Sequence, residues 1–212
     1  MTPSTEIERI EPPPESLWQR LREHPERAPE FVALYAGVHF GPQAARFAAR
    51  MGSRAPEKAA RLALRRHVRL ARLEGAALGL GGFTTAAADL AALVWVQCRM
   101  VFFIAAAYGY DPTHPMRPAE LLALRGIYPN AQEARQALDG LGPLMAGSYV
   151  QAKLSAKDDR QFGALAGFAA RKAAGRSAGR MIPLISSPIN AVMNAAATKD
   201  LGKRTIAYYG GS

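Results

Sequence analysis

The sequence predicts an all-α fold, arranged as a single bundle of about seven to nine helices. Alanine and glycine are very frequent, whereas only 8% of the residues are aromatic, and alanine is the strongest helix former. No stretch shows the alternation of apolar and polar residues that marks a half-buried strand. With 212 residues, of which 49% are apolar, the chain is long enough for one domain with a sizeable core.

Residues 1–30 are predicted to form an acidic, Pro-rich tail followed by a short helix. The tail contains Pro12-Pro13-Pro14 and no apolar segment typical of a signal peptide, so we expect a flexible segment and no secretory leader. Ser16 to Glu23 is predicted to be an amphipathic helix that ends at His24-Pro25. One side of it carries Leu17, Trp18 and Leu21. We assign residues 31–212 to the helical domain.

Three helices are predicted in the first part of that domain. Residues 31–51 indicate an apolar helix, a break at Gly41-Pro42 and then a short helix, because proline disrupts a helix interior. Gly52-Ser53 separates them from a helix over residues 54–73, in which Ser53 is a candidate cap and Pro56 suits the first turn.

The longest apolar segment, residues 84–108, predicts a helix of roughly seven turns that stops at Gly109. Its length suits a membrane span, since about 20 residues cross a bilayer. However, Asp89 and Arg99 at that depth would each cost about 2.5–3.5 kcal/mol. We therefore favour a buried central helix, and a partly inserted hairpin over residues 75–108 is the alternative.

The rest of the chain is predicted to be helical, with starts and stops marked by proline, glycine and capping pairs. A Pro-rich loop over residues 111–117 comes first. The predicted helices then cover residues 118–125, 130–139 with the pair Asn130 and Glu133, 143–154, 155–181 with the pair Ser155 and Asp158, and a last helix that follows Ser187-Pro188.

The net charge of +10 is unevenly distributed. Residues 31–73 hold nine Lys and Arg against one acid, and residues 151–212 hold ten against three. Such asymmetry indicates an anionic partner, which can be a membrane surface, nucleic acid or another polyanion. The alternative is that the basic faces are only solvated. One series of basic residues falls at steps of three and four: Arg46, Arg50, Arg54, Lys58, Arg61, Arg65, Arg69 and Arg72. Within the helix from residue 54 on, these steps place them on one face, and the break at Gly52 means that the face need not continue into the preceding helix. A second series comprises Lys172, Arg176 and Arg180. The candidate residues for binding an anionic surface are Arg61, Arg65, Arg69, Arg72, Lys172 and Arg176.

A buried polar pocket is the second candidate site. Asp89 lies on the apolar face of its predicted helix, so it requires a cation if it is buried. Arg69, Arg72, Arg99 and Arg180 are the candidates for that cation. The pocket would comprise Asp89, Arg99, Arg180, Asn190 and Asn194. It is either a structural ion pair with its hydrogen-bond partners or a polar site for a ligand or a lipid headgroup.

No pattern of catalytic residues is found in the sequence, which lacks CxxC, HExxH, Walker A and GxSxG motifs. His67 has no histidine partner at a metal-ligand spacing, and we expect it to be exposed or hydrogen-bonded. The lone Cys98 lies in the apolar segment and is expected to be a buried, inert thiol. We expect neither enzymatic activity nor a cofactor nor a metal.

The central and C-terminal parts of the chain resemble the EcsC family of bacterial proteins over roughly residues 55–210. The matching residues are Arg66-His67, Arg69-Leu70-Ala71-Arg72-Leu73-Glu74-Gly75-Ala76, Gly79, Gly81-Gly82, Ala88-Asp89-Leu90, Ala107-Tyr108-Gly109-Tyr110-Asp111, Gly179-Arg180, Ile182-Pro183, Asn190-Ala191, Asn194 and Leu201-Gly202. The family is named after a protein encoded beside an ABC transporter in a Gram-positive bacterium. The resemblance implies a cytoplasmic or membrane-associated role and supplies no catalytic residues.

These observations favour a non-enzymatic helical protein that associates peripherally with the inner face of the cell membrane through its basic helix faces. An accessory role to a transporter or secretion system, with a membrane protein as partner, follows only from the family resemblance. The alternative is a carrier that holds a lipid or small molecule in a cavity within the bundle. Nucleic acid is not expected, because no recognition motif or set of stacking aromatic residues accompanies the positive charge.

Overall fold

The computed structural model describes residues 13–52, 54–77, 83–141 and 187–211, with the side chains of residues 15, 18, 73–77, 83–92 and 187–191 left out. Seven α-helices and one 3-10 turn at Pro25–Arg27 make up these ranges, which contain no strand. The all-α prediction is confirmed. The helices are α1 (Glu15–Glu23), α2 (Ala28–Met51), α3 (Pro56–Ala77), α4 (Phe83–Ala107), α5 (Met116–Leu124), α6 (Ala131–Asp139) and α7 (Ser187–Gly210).

Helix α4 occupies the centre of the bundle and contacts α2, α3, α5 and α7. From Leu93 to Ala106 every residue except Val94 is buried. A helix that is apolar around its whole circumference is stable only when it is enclosed by protein or lipid. The neighbouring helices supply that enclosure, so the predicted buried central helix is confirmed. Within the described ranges, no helix has the length and hydropathy required to cross a bilayer.

Helices α2 and α4 run in the same direction and are joined by aromatic side chains. The ring centroids of Phe40 and Trp95 lie 4.6 Å apart, and those of Phe47 and Phe103 lie 5.0 Å apart. From the first pair to the second, the chain advances by seven residues along α2 and by eight along α4, so the two helices are parallel. Aromatic contacts of this kind add about 0.5–1.5 kcal/mol to the burial of the rings.

Helix α3 is antiparallel to both α4 and α7. Near the middle of α7, a Cβ added to Gly202 would overlap the Cδ1 methyl of Leu64 and lie 3.1 Å from the sulfur of Met100. Near its end, a Cβ on Gly210 would lie 2.8 Å from the hydroxyl of Tyr108, which donates a hydrogen bond to Glu57 at the start of α3. The end of α7 therefore lies beside the start of α3, and the three helices meet closely at Gly202.

The predicted break at Gly41-Pro42 is wrong, because α2 continues through Pro42 as a single helix. An internal proline costs about 3 kcal/mol, but the flanking turns bury Phe40 and Phe47 against α4. Pro42 itself is exposed. Gly41 has a packing role, since a Cβ there would lie 3.0 Å from the carbonyl oxygen of Pro112.

The remaining predicted helix boundaries are mostly confirmed where the structure describes them. Helix α5 begins at Met116, two residues before the predicted Pro118, since proline is tolerated in a first turn. In α6, Asn130 Oδ1 accepts a hydrogen bond of 2.9 Å from the Glu133 backbone N–H, as the capping pair predicts. Helix α4 stops before Gly109, as predicted, and Gly109 has the positive φ of +85° that glycine adopts readily. The predicted cap at Ser53 and the predicted helices over 143–154 and 155–181 lie outside the described residues.

We expect Gly202→Ala to lower the free energy of unfolding by about 1–3 kcal/mol, the usual cost of overpacking a core. The added methyl group would displace Cδ1 at the end of the flexible Leu64 side chain and lie 3.1 Å from the Met100 sulfur, so the net loss is at the lower end of this range once the gain in helix propensity of about 1 kcal/mol is subtracted. Urea denaturation followed by circular dichroism measures the change.

The double variant Gly202→Ala/Leu64→Ala is the matched control. Its destabilisation should be smaller than the sum of the two single effects, because removing Leu64 makes room for the methyl group. A Gly202→Ala variant as stable as the wild type would contradict the close approach of α7 to α3 and α4.

Candidate functional site

One face of α3 carries an exposed series of arginines, which we call the arginine row: Arg61, Arg65, Arg69 and Arg72. The opposite face is buried against α4 and α7 and is built from small residues, among them Ala60, Ala63 and Ala71. Because the helix has 3.6 residues per turn, steps of three and four residues keep the arginines on one face, as the spacing predicts. From Arg61 to Arg72 the row covers twelve residues, and the eleven steps of 1.5 Å between them give a length of roughly 16 Å.

The two ends of the arginine row differ in charge compensation. At the Arg61 end, Arg61 Nε donates a 2.7 Å hydrogen bond to Glu57 Oε1, and the Tyr108 hydroxyl donates a hydrogen bond to Glu57 Oε2. The hydrogen bond from Tyr108 and that from Arg61 lower the pKa of the Glu57 carboxyl. In the described part of the chain, Arg65, Arg69 and Arg72 make no ion pair and no side-chain hydrogen bond. Their charges are available to a partner.

Other members of the predicted basic series are placed less favourably or not at all. Arg46 and Arg50 are exposed near the end of α2, but Gly52, with φ +54°, ends that helix before α3 begins. The series is thus divided between two helices. Lys172 and Arg176 lie outside the described residues, so their role in anionic binding stays a prediction.

Behind the arginine row, a buried histidine connects α3 to the core. His67 is 1% exposed, and its Nδ1 lies 2.8 Å from the carbonyl oxygen of Ala63. A carbonyl only accepts hydrogen bonds, so Nδ1 carries the proton and Nε2 is left as an acceptor. Arg99 Nη1 lies 3.4 Å from Nε2. Burial and the positive charge of Arg99 lower the pKa of His67 to about 3, so the ring is neutral.

Arg99 joins three helices although it is only 3% exposed. Its Nε donates a 3.3 Å hydrogen bond to Gln43 on α2, and Nη1 approaches His67 on α3. Its guanidinium carbon lies 4.4 Å from the centroid of the Phe103 ring. A buried guanidinium requires such hydrogen bonds and ring contacts to offset the loss of water. The arrangement fixes how α2 and α3 sit on α4.

A second polar group connects α4 to α5 and α7. Gln97 Oε1 accepts a 2.6 Å hydrogen bond from Arg125 Nη1, and Gln97 Nε2 donates one of 3.2 Å to Thr198 Oγ1. The Thr198 hydroxyl in turn donates to the carbonyl oxygen of Asn194, at 2.7 Å. Every group in this chain of bonds therefore has a partner inside the bundle.

The residues of the predicted buried polar pocket are only partly placed by the structure. Arg99 is buried, as expected, in the group with His67, whereas Asn194 belongs to the separate group around Gln97 through its backbone carbonyl. The side chains of Asp89 and Asn190, and all of Arg180, lie outside the described residues. A pocket that unites these five residues stays a prediction.

Sequence reasoning left out most of the polar side chains that the structure places in the core. His67 was expected to be exposed or hydrogen-bonded, and the hydrogen-bonded alternative is confirmed. Its spacing of four residues from Ala63 and from Ala71 places it on the buried face of α3, which is a usable signal for burial. No local signal identifies Gln97 or Thr198, which pair across 101 residues.

Cys98 is buried, as predicted, and burial raises the pKa of its thiol to about 11. A thiol with a raised pKa is a poor nucleophile at neutral pH because little thiolate is present. Within the described ranges, no three or more His, Cys, Asp or Glu residues are grouped so that they could hold a metal ion.

An open groove of about 340 Å³ lies between α2 and the loop that precedes α5. Its walls are mostly apolar and include Leu34, Val38, Pro112 and Pro118. None of the residues of the predicted polar pocket lines it. The hypothesis of an internal cavity beside Asp89 and Arg99 therefore receives no support from this groove and stays a prediction.

We expect the wild-type protein to lose stability on acidification more steeply than a His67→Gln variant. Only the unfolded chain takes up the proton of His67 between its ordinary pKa of 6.5 and its folded value of about 3. The contribution of His67 to stability is complete above pH 6.5 and is lost as the pH falls toward 3. Urea denaturation at several pH values below 6.5 should show slopes that differ by up to about 1.4 kcal/mol per pH unit.

Glutamine is the matched control because its amide accepts a hydrogen bond from Arg99 and does not titrate. The carboxylates are the same in both proteins, so their protonation cancels in the comparison. Equal slopes for the two proteins would contradict a neutral, buried His67.

Comparison with known proteins extends the sequence resemblance. A model of the EcsC protein family matches residues 53–210. This range includes α3, α4, α5, α6 and α7, and thus the arginine row and both polar groups except Gln43 of α2. No match was found among curated proteins or among solved structures. Since the family match covers well over half of the chain, the protein belongs to the EcsC family.

Proposed function

We propose that this EcsC-family protein is non-enzymatic and docks peripherally on the anionic inner face of the cell membrane through the arginine row of α3. The observation that carries the proposal is the charge of the row. Arg65, Arg69 and Arg72 are exposed on one helix face, and no acid of the described chain compensates them. A basic helix face of this kind suits an anionic surface.

The expected strength of docking follows from the number of uncompensated charges. Each Lys or Arg close to an anionic bilayer contributes about 1 kcal/mol. Three arginines therefore give roughly 3 kcal/mol, a marginal affinity that must fall as salt screens the surface. The planar guanidinium also forms paired hydrogen bonds with a phosphate group, which favours lipid headgroups over carboxylates in solution.

The rigidity of α3 supports the proposal. Its buried face packs against α4 and α7, and His67 holds it to Arg99 in the core. Because α3 is already folded, little conformational entropy is lost when the row meets a flat surface. The electrostatic attraction is therefore not offset by the cost of ordering the helix. The wider role beside a transporter or secretion system rests on the family resemblance alone.

Charge reversal at two neighbouring positions of the row tests the proposal within one helix. Arg65→Glu should weaken binding to vesicles made of equal parts phosphatidylcholine and phosphatidylglycerol by roughly thirtyfold at low salt, since it changes two charges at about 1 kcal/mol each. Arg61→Glu changes the charge by the same amount but should weaken binding less, because the Arg61 guanidinium already donates to Glu57 and has fewer N–H groups left for a lipid phosphate. Co-sedimentation measures both affinities.

Arg65→Lys is the matched control, since it keeps the charge and a similar helix propensity. It should retain most of the binding. Circular dichroism should confirm that all three variants remain folded, because both side chains are exposed. Equal binding by Arg65→Glu and the wild type would contradict docking through the arginine row.

A further inference from the structure

The exposed face of α7 changes character along its length. Its second half carries charged residues, among them Lys199, Asp200 and Lys203. Its first half carries what we call the α7 apolar patch: Val192, Met193, Ala196 and Ala197, all of them exposed. Val192 is 67% and Met193 is 49% exposed. Single exposed apolar residues are common, but a contiguous group on one helix face indicates an interaction surface.

The register of α3 on α7 shows which end of the bundle carries the patch. Leu64 lies beside Gly202, and the two helices are antiparallel. Ala71 lies seven residues after Leu64 on α3, and Ala195 lies seven residues before Gly202 on α7. The antiparallel register therefore places Ala71 level with Ala195, and both are buried, as this register requires. The patch therefore lies at the end of the helix pair that carries Arg72.

Helices α3 and α7 both pack on α4, so their exposed faces point away from the core. At one end of this pair, the register places the exposed Arg69 and Arg72 level, along the helix axes, with the α7 apolar patch. An occupant of this surface must offer negative charge to α3 and apolar contact to α7. The interface of an anionic bilayer offers both, whereas the phosphates of nucleic acid satisfy the arginines alone.

We propose that Val192 and Met193 enter the headgroup region of an anionic bilayer while Arg69 and Arg72 bind lipid phosphates beside them. This inference rests on the proposed function and adds the orientation of the protein on the membrane. Binding then has two components. The arginine component weakens with salt, whereas the apolar component does not.

The double variant Val192→Ser/Met193→Ser tests the apolar component. Binding to vesicles of equal parts phosphatidylcholine and phosphatidylglycerol should weaken about tenfold at high salt, where the arginine component is screened. Both positions are exposed, and serine has a helix propensity similar to that of valine and about 0.5 kcal/mol below that of methionine, so α7 should remain folded. The matched control is Val38→Ser, which removes a valine that is 62% exposed on α2 and should not alter binding.

A labelling experiment tests the same contact without removing the patch. A Met193→Cys variant can be labelled with a fluorophore that reports polarity, since the buried Cys98 has a raised pKa and reacts poorly. Its emission should shift to shorter wavelength when the vesicles are added. The same label on Val38→Cys should show no shift.

The outcomes separate this inference from the proposed function. If Arg65→Glu weakens binding but Val192→Ser/Met193→Ser does not, docking stands and the apolar contact is overturned. An emission shift already present without vesicles would also overturn it, since the patch would then be covered by another part of the chain or a second copy. Failure of the wild type to bind anionic vesicles overturns both proposals.

Discussion

The buried charge of Arg99 is the constraint on which the described structure depends. A guanidinium that is 3% exposed is tolerated only where hydrogen-bond acceptors and an aromatic ring surround it. Two of the acceptors come from α2 and α3, namely Gln43 and a His67 ring whose tautomer is set by the Ala63 carbonyl. These contacts fix the rotation of α3 about its axis. The arginine row lies on the opposite side of that helix, so the core arrangement directs its charges outward.

Small residues make this arrangement compact. Alanines form the buried face of α3, and Gly202 lets α7 approach both Leu64 and Met100. The hydrogen bond between Tyr108 and Glu57 joins the end of α4 to the start of α3, while Gln97 ties α4 to Thr198 on α7. Each contact supports the same antiparallel register. That register places the α7 apolar patch and Arg72 at one end, which gives the proposed membrane-facing surface its combined apolar and basic character.

The sequence predicted the features whose signals are local. The longest apolar segment predicted α4, the capping pair predicted the start of α6, and steps of three and four residues predicted the exposed face of α3. The helix break predicted at Gly41-Pro42 is wrong, because the burial of Phe40 and Phe47 against α4 outweighs the local effect of the proline. The polar partners of Arg99 and Gln97 are separated from them by many residues, so spacing alone does not reveal them. A pairing for Asp89 and the role of Lys172 remain predictions.

We propose that uncompensated arginines on a rigid helix recognise an anionic membrane surface. The most direct measurement is co-sedimentation of the wild-type chain with phosphatidylglycerol-containing vesicles and with pure phosphatidylcholine vesicles, at low and at high salt. Docking through the arginine row predicts binding to the anionic vesicles that weakens as salt is added, and no comparable binding to the neutral ones. Equal binding to both kinds of vesicle, or no binding to either, would contradict it.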